Sequence, residues 1–292
     1  MLYKKIFKAI IPPVFIEIAS LFRPAPSKLI EWEYIPEGWS YSSKHPEVTG
    51  WNVESVLEIY KEKWPRFVKM VQGVAPLGVA HESSLITNED ILSHNTTISF
   101  GYALALAAKN KDQISILDWG GGIGHYYLLA KALLPDVDID YNCKDVQLLC
   151  EYGAQLFPNQ HFYIDERCFE RKYDFVLAST SMHYTEDWKT LFKNLANSTE
   201  RYLYIANLPT VQQVPSFVFL QRPYQYGYNT EYISWCLNQT EFLETAEEAG
   251  FKLLRKFVYG HKPVIHGAPE QNVYYGFLFK RVKKEIKNEP GN

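Results

Sequence analysis

The sequence has few cysteines and shows none of the arrangements that bind zinc or build a disulfide framework. Its four cysteines, Cys143, Cys150, Cys168 and Cys236, form no C-x-x-C pair and have no histidine at metal-ligand spacing. We therefore expect no metal site. Scattered, unpaired cysteines are typical of a reducing compartment, so the sequence predicts a cytoplasmic protein.

The sequence also lacks an excess of basic residues. It has 30 Lys and Arg against 33 Asp and Glu, which gives a formal net charge of -3. A general nucleic-acid binder neutralises phosphates with a basic surface, so this balance argues against a nucleic-acid partner. The apolar share of 47% and the charged share of 22% are those of a globular protein that can bury a sizeable core.

The start of the chain lacks the run of about 20 apolar residues that a membrane-spanning helix needs. Residues 1–24 interleave Lys4, Lys5 and Lys8 with bulky apolar residues, and Pro12-Pro13 interrupts the pattern. No small-residue cleavage site of a signal peptide follows. Two interpretations stay open. The segment is either an amphipathic anchor in peripheral contact with the inner face of the membrane, or a terminal helix packed on the protein itself.

A glycine-rich turn follows an apolar run in the segment Ile114–Gly124, ISILDWGGGIG. The apolar run predicts a buried strand, and residues Tyr126–Leu134 after the turn have helical composition. Glycines permit positive φ and let backbone N–H groups approach a ligand at the helix N-terminus. The spacing is not the G-x-G-x-x-G of dinucleotide folds, and no Gly-Lys-Ser/Thr follows. A dehydrogenase and a Walker-type nucleotide site are therefore disfavoured.

The pattern Asp118-x-Gly120-x-Gly122-x-Gly124 resembles motif I of the class I S-adenosyl-L-methionine (SAM) methyltransferases. The resemblance implies SAM as cofactor, with the glycine loop beneath its methionine part and Asp118 helping to hold its amino group. It also implies an α/β fold: a Rossmann-like seven-stranded methyltransferase sheet with helices on both faces.

Further segments resemble a sparsely characterised methyltransferase branch that is associated with bacterial surface-polysaccharide synthesis. Over roughly residues 36–280 they are Gly50-Trp51, Phe100-Gly101-Tyr102, Asp118–Gly122, Tyr232–Trp235 and Gln239–Phe242. This resemblance implies a methyltransferase that acts on a small-molecule or glycan acceptor, at a hydroxyl group, in polysaccharide biosynthesis.

Periodicity and turn residues predict the remaining elements. Strands are expected over Val137–Asn142, Phe162–Asp165, Tyr173–Ser179, Tyr202–Ala206, Phe251–Val258 and Tyr274–Phe279. Helices are expected over Val53–Val71, Ile98–Ala108 with its N-cap within Ser93–Thr97, Val146–Phe157, Tyr232–Leu237 and Gln239–Gly250. The predicted organisation is a mostly helical N-terminal extension with an amphipathic or irregular segment at 1–35, a helical cap at 36–112, the methyltransferase domain at 113–282 and a frayed tail at 283–292.

The resemblance implies further cofactor-binding residues. In the family, an acid at the end of the second strand accepts the ribose hydroxyls, and here Asp140 and Asn142 lie on the same face of that strand. Asp165, after the third strand, falls where an acceptor for the adenine amino group is often found. Ser179 ends the fourth strand, and the loop after it borders both cofactor and substrate.

Histidines are the candidate catalytic residues. Methyl transfer to a hydroxyl releases a proton, and histidine is the usual general base near neutral pH. His183 is the first candidate because it follows the fourth strand. His94 and His266 come next, the latter in a late loop that could close over substrate.

Two other functions compete with this hypothesis. A non-catalytic SAM-fold scaffold of a membrane-associated glycan assembly would fit the N-terminal segment. A nucleic-acid base methyltransferase is suggested by the run Asn207-Leu-Pro-Thr210, which resembles the N-L-P-aromatic motif of adenine methyltransferases. Thr210 replaces the aromatic residue, however, and the run follows the fifth strand instead of the fourth.

Overall fold

The structure of the protein, a computed structural model, describes residues 30–80, 90–259 and 263–282. The segment 1–24 and the tail 283–292 lie outside the described residues, so membrane contact and a frayed tail stay predictions. Among the described residues, no helix combines the length and the apolar character needed to cross a membrane.

Strands and helices alternate along most of the described chain. The strands are β1 (Trp32–Tyr34), β2 (Gln113–Trp119), β3 (Asp138–Lys144), β4 (His161–Tyr163), β5 (Tyr173–Ser179), β6 (Thr199–Val211), β7 (Phe217–Gln221), β8 (Tyr232–Asn238), β9 (Phe251–Val258) and β10 (Val273–Arg281). The α-helices are α1 (Glu54–Gln72), α2 (Ile91–Ala107), α3 (His125–Leu133), α4 (Gln147–Leu156), α5 (Trp188–Ser198) and α6 (Gln239–Glu248). Short 3₁₀ helices cover Gly38–Lys44, Glu166–Glu170, Met182–Tyr184 and Tyr224–Tyr226.

Seven of the strands form the predicted methyltransferase sheet, in the order β4-β3-β2-β5-β6-β10-β9. Strands β2 to β6 are parallel to one another, and β10 runs antiparallel to both β6 and β9. Parallel strands need crossover connections, which α3, α4 and α5 supply. The predicted fold class is therefore confirmed for the described residues.

The core lies in two layers, one on each face of this sheet. On one face, Phe67 of α1, Phe100 of α2 and Leu129 of α3 pack against β2 and β5. On the other face, Phe192 of α5 and Phe242 of α6 pack against the opposite side chains of the same strands. Strands that are covered on both faces carry nearly continuous apolar residues, which is why β2 and β5 were recognisable in the sequence.

The other three strands form a small extension that we call the roof, made of β1, β7 and β8. Strand β6 is 13 residues long. It pairs with β5 as far as Ala206 and then, beyond the end of β5, with β8 at Thr210 and Val211. From β8 the roof continues through antiparallel pairing to β7 and β1. The roof therefore extends from the carboxyl edge of the parallel strands.

The predicted helix over Tyr232–Leu237 is wrong. This segment is a strand of the roof, β8, which covers Tyr232–Asn238. Most side chains of β8 are buried whichever face they point to, so the sequence shows no alternation that would distinguish a strand from a buried helix.

Helix α2 also begins earlier than predicted. Its N-cap is Asp90, whose carboxylate accepts a hydrogen bond from the Ser93 N–H at 2.7 Å, and not a residue within Ser93–Thr97.

Two helical glycines provide a test of this packing. A Cβ added at Gly153 in α4 would lie 2.3 Å from the Phe162 ring, whereas one at Gly101 in α2 would make an ordinary contact of 3.4 Å with Leu133. We expect Gly153→Ala to lower the free energy of unfolding by about 1–3 kcal/mol through overpacking. The control Gly101→Ala should raise it by about 0.4–1 kcal/mol by restricting the unfolded chain. Urea unfolding of both variants measures this, and equal effects would contradict the packing described.

Candidate active site

The glycine loop between β2 and α3 has a backbone that other residues cannot adopt without strain. Gly120, Gly122 and Gly124 have φ of +72°, +61° and +98°. A Cβ at Gly122 would lie 2.7 Å from the ring of Tyr60, and one at Gly120 would lie 2.1 Å from the Cβ of Ser181. Gly120 and Gly122 are therefore required both for their backbone conformation and for the close approach of their neighbours.

Asp118 lies behind this loop, at the end of β2, and is fully buried. Its Oδ2 accepts a hydrogen bond of 2.5 Å from the Tyr141 hydroxyl, while Oδ1 has no partner among the described residues. A Cβ at Gly121 would come within 2.4 Å of Oδ2, so the carboxylate packs directly against the loop backbone. Burial raises the pKa of Asp118 to about 7, with the nearby Asp145 carboxylate adding to the rise and the Tyr141 hydrogen bond opposing it.

The acid that faces the loop from the second parallel strand is Asp145, which the sequence analysis did not select. Strand β3 continues to Lys144, two residues beyond the predicted end. Directly after it, the Asp145 carboxylate accepts hydrogen bonds from the backbone N–H of Gly122 at 2.7 Å and of Val146 at 2.6 Å. Burial is the largest influence on its pKa, which is raised despite these two hydrogen bonds. The sequence did hold one signal for Asp145: it is an acid placed immediately before the predicted helix that begins at Val146.

The acceptors proposed from the sequence lie elsewhere. Asp140 pairs with Arg171 at 2.6 Å and also accepts a hydrogen bond from the Asn142 amide at 2.8 Å. Asp165 caps a 3₁₀ helix and pairs with Arg167 at 2.9 Å on the surface. These side chains line none of the three cavities described next, because β3 reaches the loop two residues later than the prediction assumed.

Three adjoining cavities meet at the carboxyl edge of β5 and β6. The Asp145 cavity is lined by Trp51, Tyr60, Trp119, Gly120, Lys144, Asp145, Val146, Leu149, Ser179, Thr180, Ser181, Tyr184 and Thr185. The His125 cavity includes Tyr60, Phe67, Asp90, Ser93, Thr96, Thr97, Gly120, Gly121, Gly122, His125, Tyr126, Ser179, Thr180 and Asn207. The roof cavity is lined by Trp32, Leu92, Thr180, Tyr184, Asn207, Gln221, Tyr226, Tyr232, Pro263 and Tyr274. Thr180 lines all three.

Thr180 and Asn207 form a strained pair at this junction. Their φ angles are +50° and +55°, values that residues other than glycine rarely adopt, a β-branched threonine least of all. The Asn207 amide donates a hydrogen bond of 2.8 Å to the Thr180 hydroxyl, and the Thr180 N–H donates one of 3.0 Å to Ala206. Strained conformations held by such contacts concentrate at functional sites. Ser179, next to this pair, exchanges a 2.8 Å hydrogen bond with the Tyr126 hydroxyl.

The structure does not bring the three candidate histidines to these cavities. His183 is buried against Tyr184, burial lowers its pKa to about 3, and neither ring nitrogen has a partner among the described residues. His94 accepts a hydrogen bond of 3.1 Å from the Leu77 N–H. His266 is exposed, and its backbone pairs with β1. We therefore assign none of the three a catalytic role.

A different histidine, His125, does line a cavity and was not selected from the sequence. It begins α3, one residue after Gly124. Its ring is surrounded by the edges or faces of Tyr60, Trp64 and Phe67, with centroid distances of 4.6–5.5 Å. Burial among these rings lowers its pKa to about 3, so His125 is neutral at physiological pH.

A comparison with protein-family models assigns residues 100–256 to the family described as a methyltransferase domain. The match covers more than half of the sequence and includes the glycine loop, Asp145, Thr180 and Asn207. The chain belongs to this methyltransferase family. No curated protein matches the sequence.

Several solved structures are similar to this chain. Magnesium protoporphyrin IX methyltransferase from Synechocystis with bound SAH is 14% identical, with a TM-score of 0.48, over 79% of this chain and 100% of that one. A SAM-dependent methyltransferase from Clostridium acetobutylicum is 13% identical, with a TM-score of 0.46, over 77% and 99%. Human N-acetylserotonin methyltransferase in complex with SAM is 14% identical, with a TM-score of 0.45, over 79% and 59%.

The buried Asp118 predicts a pH dependence of stability. Its pKa in the folded protein, about 7, is above the ordinary value of 3.8, so the folded state holds this proton more tightly than the unfolded chain does. The resulting stabilisation is complete below the unfolded pKa and is lost as the pH rises through about 7. We expect Asp118→Asn, which cannot ionise, to gain stability relative to the wild type as the pH is raised from about 5 to about 8. Urea unfolding at both pH values tests this, and parallel changes in the two proteins would contradict it.

Proposed function

We propose that the protein is a SAM-dependent methyltransferase that acts on a hydroxyl group of a small or sugar-containing acceptor. The observation that carries this proposal is the position of Asp145. Its carboxylate lines a cavity together with Gly120 and is tied to the glycine loop through the Gly122 N–H. A carboxylate at the end of the second parallel strand, beside a glycine loop at the end of the first, is what a nucleoside with a ribose diol requires.

The residues that are present fit the cofactor. Each oxygen of Asp145 accepts one backbone hydrogen bond and has a further lone pair available for a ribose hydroxyl. Val146 and Leu149 supply apolar surface for the adenine base in the same cavity. The methionine end would then lie over the glycine loop, toward Ser179 and Thr180. Asp118 supports the loop from behind and acts on the cofactor through the loop backbone.

Methyl transfer places a demand on orientation above all. When bound over the glycine loop and Asp145, SAM would supply a methyl group on a sulfonium to an acceptor hydroxyl, which would give up its proton to water. Alignment of the reacting atoms accounts for much of the acceleration of such displacements. The fixed Thr180–Asn207 pair between the cofactor cavities and the roof cavity is placed to hold the acceptor in line.

The role in surface-glycan synthesis belongs to the same proposal and is supported by the sequence resemblance and by the aromatic roof cavity. The scaffold hypothesis receives no specific support, because it explains neither the glycine loop nor the position of Asp145 beside it. For the base methyltransferase, the run lies within β6, and its residues Leu208, Pro209 and Thr210 pair with β10, so the run is part of the sheet and not a loop around a flipped base.

The cofactor assignment is tested by calorimetric titration with SAM and S-adenosylhomocysteine (SAH). We expect Gly122→Asp to abolish binding up to about 1 mM, since the new side chain would meet Tyr60 and carry a negative charge toward the pocket. We expect Asp145→Asn to weaken binding about tenfold or more, because an amide has one acceptor oxygen for the loop and the ribose together.

The matched control is Asp140→Asn, which makes the same chemical change on β3 outside the cavities. Its exposed ion pair with Arg171 is worth little, so SAM binding should stay within about twofold of the wild type. Binding that falls with Asp140→Asn but not with Asp145→Asn would reverse the assignment. A folded wild type that binds neither compound at about 1 mM would favour the scaffold.

A further inference from the structure

The roof cavity has a lining that contains aromatic rings and neutral polar groups. Of its ten lining residues, five are Trp32, Tyr184, Tyr226, Tyr232 and Tyr274, and none of the ten carries a formal charge. The cavity adjoins the Asp145 cavity and the His125 cavity at Thr180, which lines all three.

The strand register explains why these side chains converge. Gln221 of β7 lies directly opposite Trp32 of β1 on one side and opposite Tyr232 of β8 on the other. Residues directly opposite each other in antiparallel strands share a face of the sheet, so the three form one row. The Tyr184 hydroxyl donates a hydrogen bond of 3.1 Å to the Gln221 Oε1, which fixes the amide and turns its NH₂ group away from Tyr184.

Three polar atoms of this lining are buried without a hydrogen-bond partner among the described residues. They are the Trp32 Nε1, the Gln221 Nε2 and the Asn207 Oδ1. Asn207 and Gln221 are only 4% and 3% exposed. Buried polar groups in native proteins are nearly always paired, and an unpaired one is costly. Two donors and one acceptor at one small cavity therefore indicate a ligand with complementary groups.

We propose that the roof cavity is the acceptor chamber and that it selects an uncharged ring carrying several hydroxyl groups, such as a neutral glycosyl unit. Hydroxyls both donate and accept, so a ring that carries several of them can pair with all three atoms, whereas a simple phenol offers a single hydroxyl for the three. The aromatic side chains cover the apolar faces of the ring. A charged sugar would lose its hydration here without a counter-ion. This inference rests on the proposed function, since the methyl donor occupies the adjoining cavities.

Asn207 is the positioning residue in this chamber. It lines both the roof cavity and the His125 cavity, and its Oδ1 is the unpaired acceptor. The hydroxyl that donates to Asn207 is therefore the one next to the methyl donor. Gln221 and Trp32, on the opposite side of the chamber, hold other hydroxyls and so set which ring position is presented.

The experiment is saturation-transfer NMR on the protein with and without SAH. The probes are methyl glycosides of glucose, galactose and mannose, with glucuronate, glucosamine and catechol for comparison, each at about 10 mM, the weak end of detectable affinity. We expect transfer to at least one neutral glycoside and at least about tenfold less to the charged sugars and to catechol. With labelled SAM, that glycoside should accept the methyl group.

Two variants and one control distinguish an effect on the chamber lining from an effect on folding. Asn207→Gly removes the amide while keeping a residue suited to the left-handed backbone, and Asn110→Gly makes the same change at an exposed position with φ +60°. Gln221→Met keeps the volume and removes the donor. Asn207→Gly and Gln221→Met should each weaken glycoside binding about tenfold or more, whereas Asn110→Gly should leave it unchanged. Gln221 lines only the roof cavity, so Gln221→Met should also leave SAH binding unchanged. If Asn207→Gly fails to fold, Gln221→Met carries the test.

The outcomes distinguish the two proposals. Normal SAH binding with no transfer to any neutral glycoside, or with equal or stronger transfer to glucuronate, glucosamine or catechol, overturns the chamber proposal and leaves the methyltransferase function standing. Unaltered glycoside binding in both chamber variants also overturns it. Absent SAH binding counts against the proposed function, while selective glycoside binding measured without SAH would still support the chamber.

Discussion

The hydrogen bond from the Gly122 N–H to the Asp145 carboxylate joins two parallel strands at the point where both end. The glycine loop has positive φ angles, which only glycine adopts without strain, and neighbouring side chains approach it closely, so its shape is held by such external contacts. Asp145 supplies one of them in front, and the buried Asp118, held by Tyr141, supplies packing behind. The loop is thus held between two acids, of which Asp145 also lines a cavity together with Gly120.

A second constraint is the pairing of Thr180 with Asn207. Each ends or interrupts a neighbouring strand, each has a positive φ, and one hydrogen bond joins them. Asn207 lies between Ala206, the last residue of β6 that pairs with β5, and Thr210, the first that pairs with β8, and it also lines the His125 cavity. Backbone strain, change of strand partner and convergence of three cavities coincide in these two residues, which is the pattern expected of a site and not of a simple core.

Much of the fold could be predicted from the sequence because the central strands are buried on both faces and the glycine spacing is specific. Tyr173–Ser179 and Phe251–Val258 were located to the residue. Asp145 was missed because the end of β3 is set by pairing with β2 as far as Trp119, which no local pattern shows. The roof was missed for another reason. Every residue of β7 is buried, so its sequence does not alternate between apolar and polar residues. Likewise, nothing local in the sequence shows that the His183 ring is buried and lines none of the three cavities.

Strand β6 belongs both to the central sheet and to the edge from which the roof extends. Its pairing with β10 runs from Tyr202 to Thr210, past the point where β5 ends. A lid on a flexible hinge could swing open on a microsecond to millisecond scale, whereas the roof is joined to β6 by the pairing of Thr210 and Val211 with β8, so moving it as a unit requires those backbone hydrogen bonds to break. If the roof cavity receives the acceptor, its frame is therefore set when the protein folds, and a change of acceptor during evolution would require replacing side chains in the roof while the cofactor half stays as it is.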